Sequence, residues 1–140
     1  MFDRTPPTPS AGASASPPPL VVAASLVAIQ GLVLVCLAVA ESFNIVADRV
    51  ELALATAVFF FAYGGVLLTA AFALTRCQGW ARGPVLLTQL IQLGIAWNVR
   101  DSPVLAIVLA VVAVITLAGM LHPASLAALL AAEDPESPKD

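Results

Sequence analysis

The chain has 140 residues, 60% of them apolar and 11% charged, with a formal charge of −3, whereas soluble globular domains run to about 45–50% and about 25%. Six basic and nine acidic side chains are too few to coat the core of a water-soluble domain of this size, so the composition implies lipid as the solvent. It also offers no basic patch for a phosphate backbone, which excludes nucleic acid as a partner.

Residues 1–19 hold Pro6, Pro7, Pro9, Pro17, Pro18 and Pro19 among small residues, and predict a disordered Pro-rich tail that buries little apolar area. The apolar runs that follow are judged by length. A helix rising about 1.5 Å per residue needs about 20 residues to cross a hydrocarbon core of about 30 Å. Residues 20–40 and 52–74 are uncharged over 21 and 23 positions, and each predicts a span. Ala38-Val39-Ala40 has the small-x-small form of a secretory cleavage site, but the preceding apolar run exceeds the about 7–15 residues of a signal peptide.

The third run, 84–99, has only 16 residues, about 24 Å as a helix. It crosses by thinning the bilayer or by extending back through Gly83 and Arg82, giving a span of about 83–99; otherwise it is buried among its neighbours. Trp80 and Trp97 bracket it, 17 positions apart, and indole rings favour the headgroup level. The alternative for Trp97 is packing inside the bundle. Residues 103–121 form the fourth span, with Pro103 where a first helical turn tolerates it. Beyond it, 122–140 contains Leu126, Leu129 and Leu130 at i, i+3 and i+4, a short helix that lies at the cytoplasmic surface or packs on the bundle's end, and then an acidic tail.

Short linkers between four spans predict an all-α, up-down-up-down transmembrane bundle. Basic residues are retained in the cytoplasm. With both termini cytoplasmic, Arg4, Arg76, Arg82 and Lys139 lie inside and Arg49 and Arg100 outside, which predicts a multi-pass plasma-membrane protein in that orientation.

All 15 formal charges fall in tails, loops or span ends, leaving neutral polar groups at hydrocarbon depth. The third span is the most distinctive. Thr88, Gln89, Gln92 and Ala96 share one helical face, opposite a surface rich in leucine. Two roles are open for that face: hydrogen bonding to other helices, with Gln30 and Tyr63 as the nearest candidates, or the lining of a solute path. Small residues at Ala24, Ala28 and Gly31, at Gly64-Gly65, and at Ala106 and Ala110 predict close helix packing. Arg76, Trp80, Arg82 and Trp97 read as interfacial anchors.

Cys36 and Cys77 lie too far apart in this topology for a disulfide. His122 has no partner at metal-ligand spacing, and neither a hydrolase nor a nucleotide-binding motif occurs, so no enzyme, metal or cofactor is expected.

The segment Gly79-Trp80-Ala81-Arg82-Gly83-Pro84, followed by Thr88-Gln89-Leu90-Ile91-Gln92-Leu93 and Ala96-Trp97, resembles a family of small four-helix integral membrane proteins from actinobacteria that carry WAR-small-P, then TQL-x-QL and a Trp. The likeness covers about residues 20–130 and leaves out the Pro-rich tail. It implies four membrane helices in the plasma membrane, carries no activity or assigned site, and singles out the segment with Trp80, Arg82, Gln89 and Gln92.

Two functions fit these residues. The first is a non-enzymatic accessory or scaffold protein whose partners are the bilayer and either another membrane protein or further copies of itself. The second is an oligomeric transporter of small solutes or lipids with the third helix lining the path. The missing intramembrane acid favours the first.

Overall fold

The computed structural model describes residues 16–43 and 49–133. These form five α-helices: α1 (Pro18–Phe43), α2 (Val50–Thr75), α3 (Arg82–Asn98), α4 (Pro103–Leu121) and α5 (Pro123–Glu133), with a 3-10 turn at Gly79–Ala81 before α3. The protein is all-helical among the described residues, and α1, α2 and α4 are long and apolar enough to cross a membrane. Residues 1–15, 44–48 and 134–140, which include most of the expected N-terminal tail and the acidic end, lie outside the described residues.

The helix ends follow local chemistry. α1 begins at Pro18, inside the stretch expected to be a structureless tail. Pro18 and Pro19 fill first-turn positions whose N–H groups would have no helical partner anyway, and the Leu20 and Val21 amides both donate to the Pro17 carbonyl, at 2.9 and 3.1 Å. The expected start at residue 20 misses this because proline stops a helix from within yet is accepted at its entrance.

At the other end of α2, the Cys77 amide donates to Leu74 and the Gln78 amide to Ala73, each at 2.9 Å, while Cys77 adopts φ 54°. This is a Schellman closure, and it places a cysteine in the left-handed conformation usually given to glycine. α3 does extend back to Arg82, and Val99 closes it, its amide donating to the Ile95 carbonyl at 2.9 Å. Its 17 residues correspond to about 25 Å.

α1 packs along α2 and against α4, while α3 packs on α4 and more lightly on α2. The chain reverses between α1 and α2, since Gly31 faces Leu68 while Gly64 faces Leu34 and Val35. Their crossing depends on two glycines. A Cβ on Gly64 would stand 2.8 Å from the Gly31 carbonyl oxygen, and one on Gly31 would stand 3.0 Å from that of Gly64. Lipid offers no hydrophobic drive between helices, so backbone approach of this kind supplies dispersion contacts instead. α2 runs unbroken through Gly64-Gly65. Leu20, Val27, Leu67, Leu74, Val85, Met120 and Leu129 fill the core together with small alanines.

The outward surface is apolar along its length, including Ile29, Leu32, Val58, Phe59, Phe61, Ile107 and Val108. Contiguous apolar surface of this extent does not occur on water-soluble monomers and suits a protein solvated by lipid chains.

α5 packs on the end of the bundle, against α4, α1 and the 3-10 turn. Its buried positions are Ser125 and Leu129, one turn apart, and Leu130 stays 50% exposed. The expected Leu126/Leu129/Leu130 face is therefore rotated. Tertiary contact with the turn and α1 selects a narrower stripe than the leucine pattern suggests.

Candidate functional site: a polar layer at mid-bundle

Most hydroxyls in the apolar helices satisfy themselves locally. Ser25 donates to Val21, Thr56 to Leu52, Thr69 to Gly65 and Thr116 to Val112, each to the carbonyl one turn back at 2.8 or 2.9 Å. A short side chain can fold onto its own backbone in this way. The longer amide of a glutamine has no such partner, and in lipid it must reach another helix.

Three residues on one face of α3 do so, each toward a different helix. Gln89 Nε2 donates to Gln30 Oε1 of α1 at 3.1 Å, and Gln92 Nε2 donates to the Leu109 carbonyl of α4 at 3.0 Å. The Thr88 hydroxyl gives its single hydrogen to the Pro84 carbonyl at 2.7 Å. The 2.8 Å contact with the Tyr63 hydroxyl of α2 must then have Tyr63 as donor and Thr88 as acceptor. The Tyr63 ring is in turn stacked on Phe59, with centroids 5.7 Å apart and planes inclined by 14°.

All four long elements thus meet in one layer, and it lies at mid-length. Gln30 is residue 13 of the 26 in α1 (18 through 30), Tyr63 is residue 14 of the 26 in α2 (50 through 63), and Gln89 is residue 8 of the 17 in α3 (82 through 89). Gln89 is 0% exposed, and Thr88 and Thr116 are buried with it. Ala96 continues the same buried face. Two amide atoms in the layer, Gln30 Nε2 and Gln89 Oε1, are buried without a protein partner.

The sequence-predicted residues therefore fall into two sets. Gln30, Tyr63, Thr88, Gln89 and Gln92 come together. The anchors do not join them. Arg76, Trp80 and Arg82 gather where α2 meets α3: Arg76 lies 4.4 Å over the Phe72 ring, and the Trp80 indole donates to Gln78 Oε1 at 2.9 Å. Trp97 sits at the far end of α3, 74% exposed, with the Arg100 guanidinium 5.6 Å from its ring centre. That exposure rules out packing of Trp97 inside the bundle. Cys36 and Cys77 are both free.

One contributor to the layer was not predicted. The Leu109 carbonyl has no sequence signature, because every residue carries one. Outside the layer, at the end of the bundle, Ser125 of α5 has a buried hydroxyl without a protein partner, in a segment read only for its leucines.

The layer is built of amides, hydroxyls and a carbonyl. It can hold helices in register or bind a small neutral molecule by hydrogen bonds. Among its members, no carboxylate, imidazole or ammonium is present to carry a proton or balance an ion. The chain matches no family model, no curated protein and no solved structure.

Proposed function

We propose that this is an integral plasma-membrane protein in which α1–α4 cross the bilayer as an up-down-up-down four-helix bundle, with both termini cytoplasmic, and that it serves as a non-enzymatic accessory or scaffold for another membrane protein or for copies of itself. In this reading the short α3 crosses with the other three, and Trp80 and Trp97 mark its two interfaces. The resemblance of its WAR-small-P and TQL-x-QL segments to those of small actinobacterial membrane proteins supports this reading.

One observation carries the reading: the polar face of α3 is engaged by α1, α2 and α4 of its own chain. Its amides act as internal fasteners, which leaves the exposed Leu87, Leu90, Ile91 and Ile95 on its outer side for lipid or a partner helix. The transporter reading draws support from the layer's mid-depth position and its two unpartnered amide atoms, because solute sites in transporters lie near the bilayer midplane.

The test is purification in mild detergent, followed by native mass measurement and cross-linking from Leu90. A membrane protein held in fixed stoichiometry and cross-linked through α3 supports the accessory role. A self-oligomer retaining a defined solute or lipid replaces it with transport. In a background with Cys36 and Cys77 replaced by serine, single Asp48→Cys, Arg82→Cys and Asp101→Cys variants test orientation. Position 82 should be shielded from a membrane-impermeant thiol reagent applied to intact cells, and labelling there would invert the proposed topology.

A further inference from the structure

Two facing primary amides can exchange two hydrogen bonds, but Gln30 and Gln89 make one. Gln89 Nε2 donates to Gln30 Oε1 at 3.1 Å, while Gln30 Nε2 and Gln89 Oε1 are both buried with no protein partner. Interchanging oxygen and nitrogen on both side chains leaves the same remainder of one donor and one acceptor. Gln89 is 0% exposed and the Gln30 nitrogen is itself buried, so neither orphan atom is served by bulk solvent. In a hydrocarbon surround, leaving both unpaired costs more than ordering a single water molecule.

The remainder also defines what fits. A ligand here must accept from an N–H and donate to a carbonyl, and it must be neutral and small. A cation gains nothing from the Gln30 amide hydrogens and an anion gains nothing from the Gln89 oxygen. Buried waters in proteins typically bridge polar groups left over from direct pairing.

We propose that the centre of the bundle is a specific site for one water molecule, whose oxygen accepts from Gln30 Nε2 and whose hydrogen is donated to Gln89 Oε1. The water completes the α1–α3 connection across the bundle. The site depends on Gln30 of α1 and Gln89 of α3 meeting across the bundle and not on the accessory role, so its test reads water and not partners.

The experiment uses the full chain with 15N-labelled glutamine in lipid nanodiscs and measures dipolar transfer from water to the side-chain amides. Gln78, which is exposed, is the internal reference. The Gln30 amide should show a water cross-peak that survives an external water-soluble paramagnetic chelate, while the Gln78 signal is quenched. In Gln89→Met the Gln30 cross-peak should be lost, and in Gln92→Met it should remain. The site is refuted by a Gln30 amide without a water cross-peak, by quenching of that peak with the chelate, or by its persistence in Gln89→Met. Should Gln89→Met fail to fold, the wild-type cross-peak and its response to the chelate decide the matter alone.

Discussion

The α1/α2 pair and the α3/α4 pair are held together by different means. α1 and α2 have 26 residues each and meet through the backbone, at Gly31 and Gly64. α3 and α4 have 17 and 19 residues and are joined through Gln92 reaching the Leu109 carbonyl. Where glycines let backbones touch, dispersion suffices and the interface needs no polar group. Where they do not, a side chain long enough to bridge the gap supplies a hydrogen bond. The difference teaches that α3, the least apolar of the four, is recruited by its amides and that the longer pair provides the frame.

Breaking the frame should have the largest effect. Gly64→Leu forces a side chain against the Gly31 carbonyl and Val35, and should cost about 3 kcal/mol in a reversible mixed-micelle unfolding assay. Gly65→Leu, one position on with no atom within 4 Å of its would-be Cβ, should be almost silent. Equal effects at the two positions would remove the close-approach account.

The amide layer comes next. Gln89→Leu strands the Gln30 amide inside the bundle and should cost about 1–3 kcal/mol, more than Gln92→Leu, which deletes one contact worth about 0.6 kcal/mol. The reverse order would mean that α3 is held mainly by α4. Cys77→Gly should then stabilise by about 1 kcal/mol, because glycine adopts positive φ without the steric penalty of a β-carbon. Cys77 sits at the joint between the two pairs, so this gain should appear whichever pair limits unfolding. The smallest effect belongs to Tyr63→Phe, which removes one hydroxyl pair at a cost of about 0.6 kcal/mol. A much larger loss would show that the α2–α3 contact is as important as α1–α2.

Much of this was legible in the sequence because lipid makes polarity expensive. Uncharged runs mark α1, α2 and α4 to within a few residues, and for the short 84–99 run the extension back to Arg82 was one of three outcomes left open, the one α3 adopts. Gln89 and Gln92 had to face inward, and Gln30 and Tyr63 were natural partners. The pairing itself was not legible. Whether Gln89 meets Gln30 or Tyr63 depends on helix rotation and axial offset, which periodicity leaves free. The Schellman closure at Cys77 was also hidden, since its signature residue is glycine and a cysteine stands there.

By itself, then, the sequence determines an all-helical, apolar chain with its charges in tails, loops and helix ends and one polar helical face, because each of those properties follows from solvation of single residues. Only the tertiary structure decides that Gly31 rests on Gly64, that α5 turns Ser125 and Leu129 inward, and that four helices share one layer at mid-length. Those outcomes depend on how helices slide and rotate against one another, and that is settled by the sum of many contacts between residues distant in the chain.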